Sequence, residues 1–286
     1  MQGTFHLAAA LFVAAPAAPA APPATEVAQA SQILSEASRI YDEAGDPALV
    51  NDANGRLAIY ERALAHLDRA SPDLIQGDAF RIARLFYRTA IAMHRPRARS
   101  GEDGSELEAL LPELRAAARD FPDSARISSS LSQVLRFQAN AAMQAENFGR
   151  AAGYGRESVE RMRAIVALGN DDDFTLRALA IDLDNLARIE ARLGRRDRSD
   201  ALGGEALGLF RQLAQRQPGS RAAQGSLLIS LVRRAVDMGE PELLDEAERV
   251  GAGMAERGLL DERYRGIVDG FPRIRAQAGA AAAARR

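Results

Sequence analysis

The densest acidic cluster in the chain is Asp171-Asp172-Asp173. A calcium loop needs oxygen ligands at alternating positions over about twelve residues, with a Gly at the turn and a closing Glu. These three aspartates instead run straight into Phe174-Thr175-Leu176. That pattern suits a helix start, with Asp172 as the residue whose carboxylate accepts from the first free amides. His6, His66 and His94 are isolated in sequence, and no HExxH or HxxxH spacing occurs. The chain has no cysteine, so disulfides, thiol nucleophiles and Cys-type zinc or iron–sulfur sites are excluded. Its 37 basic residues are all Arg, which removes Schiff-base chemistry and the phosphate-binding lysine of a Walker loop.

Ser128-Ser129-Ser130 has no lysine in SxxK spacing, and no GxSxG elbow is present. Asp182 and Asp184 are two residues apart; on a helix they face different ways and cannot act together as acid and base. Asp184 and Arg188 have the favourable i,i+4 spacing and are expected to form a surface ion pair. Arg95, Arg97 and Arg99 form a basic run, but Glu102, Asp103, Glu106 and Glu108 follow closely, as expected of a solvated, charge-balanced loop. A formal charge of −2 and a pI near 6.0 argue against nucleic-acid binding. No nucleophile, base and oxyanion hole assemble. The expectation is a chain without catalysis, metal or cofactor.

The elements that must position any site follow from an internal repeat. A step of 48 residues links Ser124, Asp172 and Ser220, all helix-capping types. The same step links Leu131, Leu179 and Leu227, then Leu135, Leu183 and Leu231, then Ala139, Ala187 and Ala235. Within one copy these lie at offsets 0, 4 and 8, one stripe of an α-helix. Each copy divides into a helix A and a helix B joined by a short turn such as Glu146-Asn147 or Gly194-Arg195. Helices are predicted over 26–44, 54–70, 74–95, 105–120, 124–145, 148–167, 173–193, 198–216, 220–238, 241–257 and 261–276. A chain that is 47% hydrophobic but only 5% aromatic suits closely packed helices better than sheets. One helix pair cannot bury its apolar stripe alone, whereas stacked pairs can. The predicted fold is therefore all-α: a right-handed solenoid of antiparallel helix pairs, about five repeats plus a C-terminal capping helix.

Tyr60-Glu61-Arg62-Ala63-Leu64, followed by Leu67 and Pro72, with Gly194 at an inter-helix turn, resembles the tetratricopeptide-like helical repeats. The long period and the Leu131/Leu179/Leu227 column are similar to the repeats attached to bacterial serine/threonine kinases, although the Trp-x2-Leu-Gly-x2-Tyr core is missing. This resemblance covers 26–276 and implies a non-catalytic scaffold that binds a protein or an extended peptide. Polar side chains on helix A away from the stripe are then the expected contacts: Arg136, Asn140, Asp184, Arg188 and Arg233. Arg offers a planar fork for carboxylates, and Asn both donates and accepts.

Residues 1–25 read as a leader. Leu7 to Ala15 is an apolar run of nine, and Ala18-Pro19-Ala20 fits a signal-peptidase site, though the first basic residue is Arg39. Export, as to a bacterial periplasm, is the expectation; a cytoplasmic adaptor that docks a kinase or transcription factor is the alternative. A disordered Ala/Arg tail is expected over 277–286. No stretch has 18 uncharged apolar residues after the leader, so no membrane insertion of the mature chain is expected.

Overall fold

The computed structural model describes residues 24–45, 49, 52–75, 77–98 and 105–283. The leader, all but its last two residues, lies outside them. The described residues are helical, without strands. In order the elements are α1 (Ala24–Asp42), α2 (Ala53–Leu67), the short α3 (Pro72–Ile75), α4 (Asp78–Ala98), α5 (Ser105–Asp120), α6 (Ala125–Gln144), α7 (Phe148–Ala167), α8 (Asp173–Arg192), α9 (Arg196–Arg216), α10 (Arg221–Asp237), α11 (Leu244–Glu256), α12 (Glu262–Asp269) and α13 (Phe271–Ala283). No described helix is long and apolar enough to cross a membrane.

The three predicted caps start three helices. Ser124 accepts from the Ile127 amide at 3.3 Å, Asp172 from Phe174 and Thr175 at 2.9 and 3.1 Å, and Ser220 from Ala223 at 3.3 Å. Asp172 also accepts from the Thr175 hydroxyl, and these bonds, the hydroxyl first, hold its carboxyl below the usual range. That full set of donors explains the acidic cluster as a helix start.

The apolar stripe is buried in every copy. Leu135, Leu183 and Leu231 are wholly inaccessible, and the other two columns are buried beside them. Truncating one such leucine to Ala costs roughly 2–5 kcal/mol, so these positions dominate the packing. Helices adjacent in sequence lie against each other, most extensively α6 with α7 and α8 with α9. Alternate helices also meet: α4 touches α6, α6 touches α8, and α8 touches α10. One apolar cluster runs through Val159, Leu183, Phe210, Leu231, Met254 and Phe271, joining α7 to α13.

Charged pairs repeat in the same register. Arg115, Arg163 and Arg211 are spaced by 48, and they bond Glu157, Glu205 and Glu246 on the next B helix, the first and third at 2.6 and 2.5 Å. Across α4 and α5, Arg81–Asp120, Arg88–Glu113 and Arg95–Glu106 form antiparallel rungs seven residues apart. Pairs this exposed contribute about 0–1 kcal/mol each; they fix alignment more than they add stability.

The structure departs from expectation at three places. The helix expected from 74 starts at Asp78 after α3, with Gly77 between them, and runs on to Ala98, taking in Arg95 and Arg97 of the basic run expected in a loop, while Arg99 lies outside the described residues. The last helix, expected over 261–276, is two. Pro272 lacks an amide and its ring cannot follow a continuous turn, so α12 ends at Asp269 and α13 begins at Phe271. The tail expected from 277 is helical to Ala283, with Ala278 fully buried against Ala235 and Leu244; its alanines have the highest helix propensity.

The A-to-B turns give a stability test. Glu146 and Gly194 occupy matching turns with φ of 57° and 75°, a region that costs non-glycine residues about 1–2 kcal/mol. A Cβ on Gly194 would meet nothing within 4 Å, so backbone strain alone acts there. In urea unfolding, Gly194→Ala is expected to lower stability by about 1 kcal/mol and Glu146→Gly to raise it by a few tenths. Signs opposite to these would contradict the turn geometry.

Candidate functional site

Helix α8 lies between α6 and α10, and its two aspartates address opposite neighbours. Asp182, 2% exposed, accepts from Ser132 of α6 at 2.5 Å and Ser158 of α7 at 2.7 Å, and faces the Arg136 guanidinium at 3.4 Å. Asp184, 5% exposed, accepts from Ser230 of α10 at 3.0 Å and pairs with Arg233 at 3.4 Å. Each carboxylate thus joins a serine and an arginine on a flanking A helix. The predicted divergence of the two residues is observed, and it makes two seams rather than one acid–base pair.

Burial pushes both carboxyl groups up; the nearby guanidinium, Arg136 for Asp182 and Arg233 for Asp184, and the serine hydroxyls pull the other way. Asp182 Oδ1 has no hydrogen-bond partner, which leaves part of its charge unsolvated. These aspartates therefore cost stability when ionised, and what they obtain in return is the placement of Arg136 and Arg233.

Both arginines line one open groove of about 440 Å³. Its walls carry Arg136 and Asn140 from α6, Arg177, Asp184 and Asn185 from α8, Ser230 and Arg233 from α10, and Arg263 and Tyr264 from α12. Four of the five expected contact residues, Arg136, Asn140, Asp184 and Arg233, meet here. The fifth, Arg188, lines the adjoining cavity with Asn140, Met143 and Asn185. Its expected surface pair with Asp184 does not form: Arg188 bonds Asp237 of α10 at 3.3 Å. Asp184 is drawn instead into the α8–α10 seam, where burial and two donors replace the single exposed contact.

Five of these groove residues, Arg177, Asn185, Ser230, Arg263 and Tyr264, had no place in the sequence reading. Asn185 was within reach of it, because one 48-residue step back from Arg233 lands there. Arg263 and Tyr264 arrive by a tertiary contact. A Cβ on Gly225 would lie 2.2 Å from the Tyr264 ring, so the glycine lets α12 close over α10. No group of three or more His, Cys, Asp or Glu side chains among the described residues converges as a metal site. His94 bonds the Ala90 carbonyl through Nδ1 at 2.8 Å and meets the Tyr60 ring edge-on.

The buried seam predicts a pH effect. The folded carboxyls hold protons more tightly than the unfolded ones, so their penalty is largest at neutral pH. It is relieved as pH falls through the folded value towards the unfolded one near about 4. Asp182→Asn removes that charge, and is expected to raise the melting temperature at pH 7 relative to the unaltered chain, the difference shrinking as pH falls towards the unfolded value. Asp182→Ala strands Ser132 and Ser158 and should cost about 1–3 kcal/mol. A destabilised Asp182→Asn with an unchanged pH slope would refute the buried-charge account.

Compared with known proteins, the chain matches no family model, no curated protein and no solved structure.

Proposed function

We propose that the chain is a non-catalytic scaffold that holds an extended peptide or protein segment in the groove formed by α6, α8 and α10. The observation that carries this reading is the convergence of Arg136, Asn140, Asp184 and Arg233, from three successive A helices, on one open cleft. Arg136 and Arg233 each face a buried carboxylate at 3.4 Å, and such restraint lowers the entropy lost when a ligand binds. The cleft also presents Asn side chains, which can pair with a peptide backbone in both directions.

The architecture in this proposal is a right-handed tetratricopeptide-like solenoid of antiparallel pairs, with α12 and α13 closing its C-terminal end. The contacts of α4 with α6, α6 with α8 and α8 with α10 support it, as does the 48-residue recurrence of caps, stripe and arginines. The leader sequence places the mature chain outside the cytoplasm in this reading. Protein purified from its native host is expected to begin after Ala20, and an intact Met1 would favour the cytoplasmic adaptor instead.

Peptide-library selection on the full chain tests the site. Enriched peptides are expected to lose at least about tenfold in affinity with Arg136→Glu or Asn140→Ala, the scale of one charge-assisted hydrogen bond. Selected peptides that bind these variants unchanged would remove the groove from the function.

A further inference from the structure

We infer that the α6–α8–α10 groove selects an acidic ligand: an extended peptide segment whose Asp or Glu side chains meet Arg177 and Arg263. The inference rests on the scaffold reading above and adds the chemistry of the partner. Four guanidinium groups line the cleft, those of Arg136, Arg177, Arg233 and Arg263. Two of them already face carboxylates, Arg136 that of Asp182 and Arg233 that of Asp184 in the same wall. The other two do not. Arg177 is half-buried on α8, and neither it nor Arg263 forms a salt bridge with a described carboxylate. Arg263 rests only over the ring of its neighbour Tyr264, at 5.8 Å.

The composition of the wall sets it apart, with four guanidinium groups against one carboxylate, that of Asp184. Arginines elsewhere on the stack, such as Arg81, Arg88, Arg115, Arg150, Arg163, Arg211 and Arg275, bond a carboxylate on another helix. A chain of net charge −2 thus gathers an excess of positive charge along this groove. The low dielectric of a concave wall strengthens attraction to an anion there. Asn140 and Asn185 remain available for the backbone of the same segment. A nucleic acid fits less well, since two free cations and one tyrosine offer neither a phosphate track nor a row of stacking rings.

Fluorescence anisotropy on the full chain decides it, with labelled ten-residue peptides of alternating Glu-Ser, Gln-Ser and Lys-Ser, and a single-stranded DNA oligomer. The Glu-Ser peptide is expected to bind best and to weaken as salt rises. Arg177→Glu with Arg263→Glu should reduce its affinity at least about tenfold. Arg196→Glu with Arg198→Glu, an equal charge change on an exposed part of α9 away from the cleft, should leave it within about twofold. Circular dichroism confirms that each variant is folded. Equal binding of Gln-Ser and Glu-Ser, both weakened by Arg136→Glu, would overturn the acidic preference and leave the scaffold reading standing. Glu-Ser binding that ignores the Arg177 and Arg263 changes would overturn the assignment of those residues. DNA bound more tightly than Glu-Ser would overturn the peptide ligand, and binding of no probe would overturn the inference outright.

Discussion

Burial of the stripe Leu131-Leu135-Ala139 and its two copies, 48 and 96 residues on, is the interaction on which the other features depend. Each A helix has more apolar surface than its own B helix can cover, and contact with the next A helix covers the remainder. Alanine at the third position is buried in each copy and lets a neighbouring backbone approach closely, and α6 and α10 each touch α8. Everything polar on these helices is then sorted by its angle from the stripe. Side chains just beside it fall in the seams, and those further round face the groove.

The seams show what that sorting does to chemistry. Asp182 and Asp184 are far less exposed than a solvated helix face would leave them, and both carry a raised pKa because they are desolvated. Buried pairs of this kind are weak evidence for stability, since desolvation offsets most of the Coulombic gain. Their consequence is geometric. A buried carboxylate beside a guanidinium restrains it, and Arg136 and Arg233 so restrained line the groove wall. Arg177 and Arg263 lack such anchors and retain their charge for whatever enters.

Much of this was legible in the residues. The caps at Ser124, Asp172 and Ser220 and the three stripe columns recur at a fixed period, and local physics is enough to interpret them. The column Arg115/Arg163/Arg211 is equally periodic, yet its meaning required knowing that successive B helices are neighbours, because each glutamate partner lies 35 or 42 residues away. Asp184 was misread for the same reason. Its nearest sequence partner, Arg188, satisfied a helix rule, whereas the true partners Ser230 and Arg233 lie 46 and 49 residues on. The break at Gly270-Phe271-Pro272 carried a readable signal in the proline, which an otherwise helical pattern outweighed. Arg263 and Tyr264 could not be foreseen, since their place in the groove depends on how α12 closes over Gly225.

The absence of native cysteine allows a direct test of the side-by-side order of α6, α8 and α10. Cysteine pairs Ser132→Cys with Asp182→Cys, Asp184→Cys with Ser230→Cys, and Ser132→Cys with Ser230→Cys are introduced separately and treated with a short bis-alkylating, thiol-reactive reagent. Cross-links within one folded chain should form for the first two pairs, whose native side chains touch at 2.5 and 3.0 Å, and not for the third, which α8 separates. Efficient linkage of the third pair, or none in the first two, would contradict the stacked order from which the groove is built.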